Sequence, residues 1–238
     1  MNSTSLFKIH SYLDAQSRTP ARARGQKPLP AITISRESGA CAHSVGQRVV
    51  QLLEEKRDKK RGGPWTLFDR DLVEKVLQDH ELPERIRQFM PEDKIKNVAD
   101  CVEALLGLHP NSWTLVHYTV DTILRLAHMG NVVIIGRGAN LITENMPNVF
   151  HVRLIAPQDF RIHHLKERER ISAKEAAKLV RKTDTARKRY VSTNFTAAID
   201  DPRAYHLTIN TAKTGFAGAA DIIAHAVLSG DFPNRSRS

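Results

Sequence analysis

Ala31-Ile-Thr-Ile-Ser-Arg-Glu-Ser-Gly-Ala-Cys-Ala-His-Ser-Val-Gly46 is the stretch that decides the fold. A short β-branched run, Ala31 to Ser35, enters a small polar turn. A helical apolar pattern follows through Val45, Val49, Leu52 and Leu53. Strand, turn, helix is the layout in which backbone N–H groups and a helix N-terminus hold phosphate. The spacing predicts a helix from about Ser44 to Arg57, stopped by a charged run and by Gly62-Gly63-Pro64.

Upstream, residues 1–30 read as a basic tail. Leu6, Phe7, Ile9, Tyr12 and Leu13 allow a turn or two of amphipathic helix. Ser17 to Pro30 has little apolar content and three prolines, so it is expected to be flexible. Downstream, Trp65 to Phe68 reads as a second strand, leading through Asp69-Arg70-Asp71 into a helix with Leu72, Val73, Val76 and Leu77. Residues 80–130 read as helical throughout, interrupted at His109-Pro110-Asn111. Two successive helices without a strand break the β/α alternation, so this stretch is expected to be an inserted helical subdomain or a dimer face, with helices 92–129 offering the homodimer surface.

Alternation then resumes. Val132 to Ile135 is a continuous apolar run, as for a strand buried on both faces of a parallel sheet. Val149 to Ile155 is another strand, and Gln158 to Arg168 a helix. Ser172-Ala-Lys-Glu175 has the capping-box pattern and opens a long helix to about Tyr190. Tyr205 to Ile209 is the last strand, and Ala219 to Leu228 the last helix. Five strands interleaved with helices predict an α/β fold, a doubly wound parallel five-stranded sheet. The core domain is expected over 31–230, with a flexible C-terminal tail at 231–238.

Bulk properties agree with one such domain. The chain has 238 residues and 41% hydrophobic content. Two cysteines, Cys41 and Cys101, suggest a reducing compartment and no disulfide framework. No apolar run approaches the roughly 20 residues that span a bilayer, and no hydrophobic leader opens the chain, so cytoplasm is the expected location and no membrane is expected as a partner. A net charge of +10 favours anionic partners. Aromatics are only 6%, with no stacking motif, which speaks against nucleic acid.

Ligands of doubly wound sheets sit beyond the carboxyl ends of the strands. Arg36, Arg70 and Arg137 all follow predicted strand ends. Each either pairs with a local carboxylate such as Glu37, Asp69 or Asp71, or offers its planar fork to phosphate oxygens; recurrence at three equivalent positions favours the second. On the long helix, Asp184 is spaced to hold Arg187 or Lys188, as an exposed salt-bridged helix would also do. Cys41 is either a reactive thiol near a helix start or a small stand-in for glycine. His163-His164 reads as a solvated pair, and Trp65 and Trp113 as core.

Together these segments resemble the cytidylate kinase-like family, a branch of the P-loop nucleoside monophosphate kinases. Ile32-Thr-Ile-Ser-Arg-Glu37 with Gly39 and Val45-Gly46 looks like its first strand and phosphate loop. Phe68-Asp-Arg-Asp-Leu72 and Val133-Ile-Ile-Gly-Arg-Gly-Ala139 are similar to later motifs, as are Val152 to Pro157, the arginine-bearing helix to Tyr190, and Asp201-Pro-Arg-Ala-Tyr205 through Ile209-Asn-Thr211. The resemblance implies a P-loop NTPase type of fold and transfer of the γ-phosphoryl group of Mg-ATP to a small phosphorylated acceptor, CMP or dCMP. It implies that Arg36, Gly39, Ala40, Cys41, Ala42, His43 and Ser44 bind the ATP phosphates, with Ser44 also on Mg2+. Arg70 and Arg137 would hold the acceptor phosphate, and Arg181, Arg187 and Asp69 would be catalytic. Asn210 and Thr211 would lie on the adenine side.

The loop departs from the family pattern. Its usual Gly-Ser-Gly-Gly core is here Gly39-Ala-Cys-Ala42; the lysine of a Walker loop is also absent, as it is in the family that the chain resembles. Added Cβ atoms restrict positive φ and close backbone approach. Arg36 or His43 would have to replace the lysine charge. A catalytically weak or inactive module, kept as a nucleotide sensor or interaction protein, is therefore the alternative to an active kinase.

Overall fold

The computed structural model describes residues 11–14, 28–58, 62–69 and 110–230, with side chains of 110–118 excepted. Arg70, residues 80–109 of the stretch expected to be helical, and the tail 231–238 lie outside the described residues, as does most of the segment before residue 28. Five strands, β1 (Ala31–Arg36), β2 (Thr66–Phe68), β3 (Val132–Ile135), β4 (Val149–Ile155) and β5 (Leu207–Asn210), form one sheet in the order β2-β3-β1-β4-β5. Every pairing is parallel. The helices are α1 (Ala42–Glu55), α2 (Pro110–Met129), α3 (Ala139–Ile142), α4 (Gln158–Glu169), α5 (Ala173–Phe195) and α6 (Thr211–Ser229). The doubly wound α/β fold expected from the sequence is the fold found.

The period-2 geometry of the strands sorts their residues into two cores. Ala31, Val132, Ile134 and Val149 face one side, under α2, α3 and the end of α5. Ile32, Ile34, Val133, Ile135, Phe150, Val152 and Leu154 face the other, under α1 and α6. α1 sits close because Gly46 has no side chain: a Cβ there would lie 2.9 Å from Leu67 Cδ1 and 3.2 Å from Ile135 Cδ1.

Residues 11–14 correct the reading of the whole N-terminal segment as tail. They form a helical turn whose Tyr12 and Leu13 are buried in the first core. The Tyr12 hydroxyl donates to the Gly130 carbonyl at 2.7 Å. Burial of one aromatic and one aliphatic side chain outweighs the weak helical signal around them.

The second half of β4 breaks the apolar pattern on the α2/α5 side. There His151 and Arg153 are buried, beside Thr33 and Ser35 of β1. The His151 Nδ1 shares a 2.8 Å hydrogen bond with Thr33 Oγ1. Burial, and secondarily the neighbouring His206, pushes the His151 pKa down to about 3. A polar stripe thus runs up this face of the sheet toward the carboxyl ends of β1 and β4. On leaving β1 the chain turns toward β2, and on leaving β4 toward β5. The crevice opens between strands whose connections diverge in this way.

Candidate active site

The turn after β1 keeps a left-handed backbone without the glycines expected to supply it. Gly39 has φ 86° and Cys41 has φ 58°. The Cβ of Cys41 makes this conformation costly by roughly 1–2 kcal/mol. No side chain caps the start of α1, so its first N–H groups are left to water or a ligand. The thiol of Cys41 is buried, and burial pushes its pKa up, against the lowering pull of Arg168. It is a glycine replacement rather than an activated nucleophile.

The turn is clamped from outside. A Cβ at Gly39 would lie 2.5 Å from the Arg161 carbonyl oxygen of α4. The Arg161 guanidinium donates through Nη1 to the Ser38 carbonyl (3.2 Å) and to Asp184 Oδ2 (2.6 Å), and through Nε to the Ala156 carbonyl (2.9 Å). The Ser38 N–H donates to Asp184 Oδ1 at 2.7 Å. A carboxylate from α5 therefore occupies a backbone N–H of the turn itself. Helical spacing paired Asp184 with Arg187 or Lys188. In the structure Arg187 is 3.6 Å away, and Lys188 pairs with Asp200 at 3.0 Å instead.

Three cavities surround this turn. The first, about 190 Å3, is lined by residues 36–43 of the turn together with Asp69, Arg168 and Arg187. His43 Nδ1 lies 3.5 Å from Asp69 Oδ2 across it. The second, about 280 Å3, lies between the β1 and β3 ends and α5, with Arg36, Arg137, Asn140, Thr183, Arg187 and Tyr190 in its wall. The third, about 340 Å3, lies between β4, α4 and α5, with Arg153, Arg161, Arg181 and Asp184 in its wall. Arg36 and Arg187 line all three.

Arg137 is held in an unusual turn. Gly136, Arg137 and Gly138 have φ of 86°, 59° and 67° in succession. A Cβ at Gly136 would collide with Arg36 Nη1, and one at Gly138 would lie 2.5 Å from Phe195 Cε2. The two glycines let Arg36 and the end of α5 close on the turn, and the strained arginine between them faces the second cavity. Non-glycine residues held with positive φ cluster at functional sites.

Of the expected site residues, Arg36, Arg137, Arg187, Asp69 and the turn from Gly39 to His43 thus surround connected cavities. Arg181 lines the third alone. Ser44 is exposed on α1 and lines none of the three. Asn210 caps α6 by accepting from the Ala212 N–H at 3.1 Å, and the Thr211 hydroxyl donates to the Ile155 carbonyl at 3.3 Å. Both side chains serve the fold.

Reading the sequence missed Arg153, Arg161, Arg168 and Asn140. Arg153 carried a signal, a charge inside an apolar strand. Asn140 did not. It is 7% exposed, and its Nδ2 is the one buried side-chain nitrogen or oxygen without a partner among the described residues. Such a group costs about 1–3 kcal/mol unless something answers it.

The wall residues fit a polyphosphate with magnesium. Arg36, Arg168 and Arg187 supply donors around the loop. No group of three or more metal-ligating side chains exists among the described residues. Magnesium on a nucleotide needs no such group, since it keeps water and phosphate ligands beside one or two carboxylates. Asp69 and Glu37 line the loop cavity and match that sparse donor set.

Comparison with known proteins places the fold and the family. A solved structure titled as an uncharacterized protein from Eubacterium ventriosum ATCC 27560 superposes with a TM-score of 0.57 at 22% identity, covering 84% of this chain and 99% of that one. A shikimate kinase from Bacteroides thetaiotaomicron gives 0.47 at 12% identity, covering 84% and 98%. A gluconokinase from Sinorhizobium meliloti 1021 gives 0.40 at 11% identity, covering 87% and 99%. No curated protein matches the sequence. The sequence profile of the cytidylate kinase-like family matches residues 31–213, which runs from β1 through every strand of the sheet and both arginine-bearing helices. The chain belongs to the cytidylate kinase-like family.

Proposed function

We propose that this chain is a nucleotide-binding phosphotransferase that moves the γ-phosphoryl group of Mg-ATP to a small phosphorylated acceptor, with CMP and dCMP as the first acceptors to test. One observation carries the reading: Arg36 and Arg187 line both the loop cavity and the β3-side cavity. Phosphoryl transfer is mostly positioning and charge neutralisation, and needs cations between donor and acceptor.

The residues divide as follows. The turn from Gly39 to Ala42 and the uncapped start of α1 hold the donor phosphates through backbone N–H groups. Arg168 supplies the positive charge that a Walker-loop lysine would carry. Arg137 holds the acceptor phosphate in the second cavity, where Asn140 offers its unanswered amide to the rest of the acceptor. Arg36 and Arg187 neutralise the group in transit. Asp69 would hold magnesium, which when bound would supply charge neutralisation on the phosphates.

Purified protein mixed with Mg-ATP and a panel of nucleoside monophosphates should release ADP with at least one acceptor. No turnover across the panel, with no ATP binding by calorimetry, would sink the proposal. A second reading is favoured by the Asp184 carboxylate on the Ser38 N–H, which closes part of the loop. In that reading the chain binds nucleotide and senses it without turnover, and calorimetry would show ATP binding alone.

A further inference from the structure

We infer that the cavity between β4, α4 and α5 is a further anion site, built around Arg153, that takes the diphosphate group of a small molecule. It shares Arg36 and Arg187 with the donor and acceptor cavities but has its own wall in Arg153, Arg161 and Arg181, and it does not depend on phosphoryl transfer.

The charge balance points there. The loop cavity sets Arg36, Arg168 and Arg187 against Glu37 and Asp69, a formal excess of one with His43 neutral. The β4–α4–α5 cavity sets Arg36, Arg153, Arg161, Arg181, Arg187 and Lys188 against Glu37 and Asp184, an excess of four. Some of these cations are spoken for. Arg161 has Asp184 at 2.6 Å and Glu37 at 3.4 Å. Lys188 has Asp200 at 3.0 Å.

Among the described residues Arg153 has no carboxylate within ion-pair distance. It is 5% exposed, and its Nη1 donates to the Ser35 hydroxyl at 3.1 Å. Its guanidinium carbon lies 5.7 Å from the centre of the Tyr205 ring. Tyr205 is itself fixed, donating to the Ile199 carbonyl at 2.7 Å and lying 3.2 Å from Ser35 Oγ. Asp200 feels Arg153 only weakly, since its carboxyl is held low first by the Lys188 hydrogen bond. The result is a buried charge with its ring face and one N–H engaged and, among the described residues, only the weak, longer-range influence of Asp200 to answer it.

A buried charge without a counter-charge is costly, and such groups are normally paired or bound to an ion. A fork of guanidinium donors suits tetrahedral phosphate oxygens, often bidentately. A diphosphate, with about three negative charges near neutral pH, matches the cavity's excess better than a single phosphate does. Arg181, exposed on α5, and the buried Arg153 approach it from different elements.

Calorimetric titration of the full chain with inorganic pyrophosphate, and in parallel with ADP, tests the inference without any catalytic step. Either probe should bind, and the tighter one tells a free diphosphate from that of a nucleotide. R153Q and R181A should each weaken one pyrophosphate-binding step at least tenfold, a step that R168A, which lines only the loop cavity, leaves within threefold even where it weakens a second step at the loop. Arg181 is exposed, so R181A tests the site even if R153Q is poorly folded. Loss on R168A with none on R181A would overturn the inference, as would no binding of either probe at millimolar concentration. Pyrophosphate binding with the expected pattern, but no turnover with Mg-ATP, would remove the proposed function and leave this site standing.

Discussion

The turn after β1 and the helix α5 divide the work of holding phosphate differently from a glycine-lysine loop. The turn keeps its shape: Gly39 and Cys41 are left-handed, and α1 starts directly beyond them. It carries no lysine, and its cavity is the least basic of the three. The charge comes from the ends of β1 and β3 and from α4 and α5, through Arg36, Arg137, Arg168 and Arg187. Position follows from sheet topology, whereas charge can be delivered by any element that reaches the same crevice.

The largest test falls on the α5 side of that division. Arg187→Ala should lower ADP release about 10³-fold, roughly 4 kcal/mol of barrier, if α5 supplies the transit charge. A loss below tenfold would return the charge to the turn. The scaffold under the turn is tested by pH. His151 stays neutral when folded but takes a proton when unfolded, so stability present above about pH 6.5 is lost as pH falls toward the folded pKa of about 3. Denaturant melts should show wild type losing about 3 kcal/mol more than His151→Gln between pH 6.5 and pH 4. Equal losses would mean that His151 is not held neutral.

Asp184 ties the two regions together. Asp184→Asn should cost about 2 kcal/mol in thermal unfolding, because Arg161 loses its closest carboxylate and the Ser38 N–H its charged acceptor. If the carboxylate also blocks the loop, the same variant should bind ATP more tightly by calorimetry; unchanged affinity would separate the clamp from the loop. The smallest effect is expected in the turn itself. Cys41→Gly relieves the left-handed strain but gives up a buried side chain and gains unfolded-state freedom, so stability should move by less than about 1 kcal/mol. A larger loss would show the thiol packing more strongly than its conformation costs.

Much of the fold was legible because it rests on local pattern. The runs at Val132 to Ile135 and Val149 to Ile155 are read at the residues where β3 and β4 begin and end. The capping box at Ser172 and Glu175 is formed on both sides. Boundaries slipped where tertiary contacts decide them. α1 begins at Ala42 rather than Ser44, because Cys41 turns the chain into the helix early. Tyr205 was read as strand, but its hydroxyl anchors it at Ile199 and Ser35, and β5 starts at Leu207. α6 begins at Thr211 on its Asn210 cap and runs past Gly215, a break that hid its first turns.

The site was legible in outline, since the strand-end arginines follow from topology. Its inner wall was not. His151 and Arg153 alternate with Phe150, Val152 and Leu154, so one face of an apolar strand is polar, and that faint period-2 signal is masked by the residues between. Asp184 keeps its helical-spacing partner Arg187 at 3.6 Å, but its closer partners, Arg161 and the Ser38 N–H, lie 23 and 146 residues away, beyond any helical spacing.

Arg36 and Arg187 are walls common to three chambers. An anion seated in any one of them draws on the same two guanidinium groups that its neighbours would use. Two cations cannot fully serve three guests, so the first occupant weakens the welcome for the next. Thermodynamic reciprocity makes that antagonism mutual. The affinity of each chamber then reports how full the others are, and the order in which anions arrive and leave becomes a property of the shared wall.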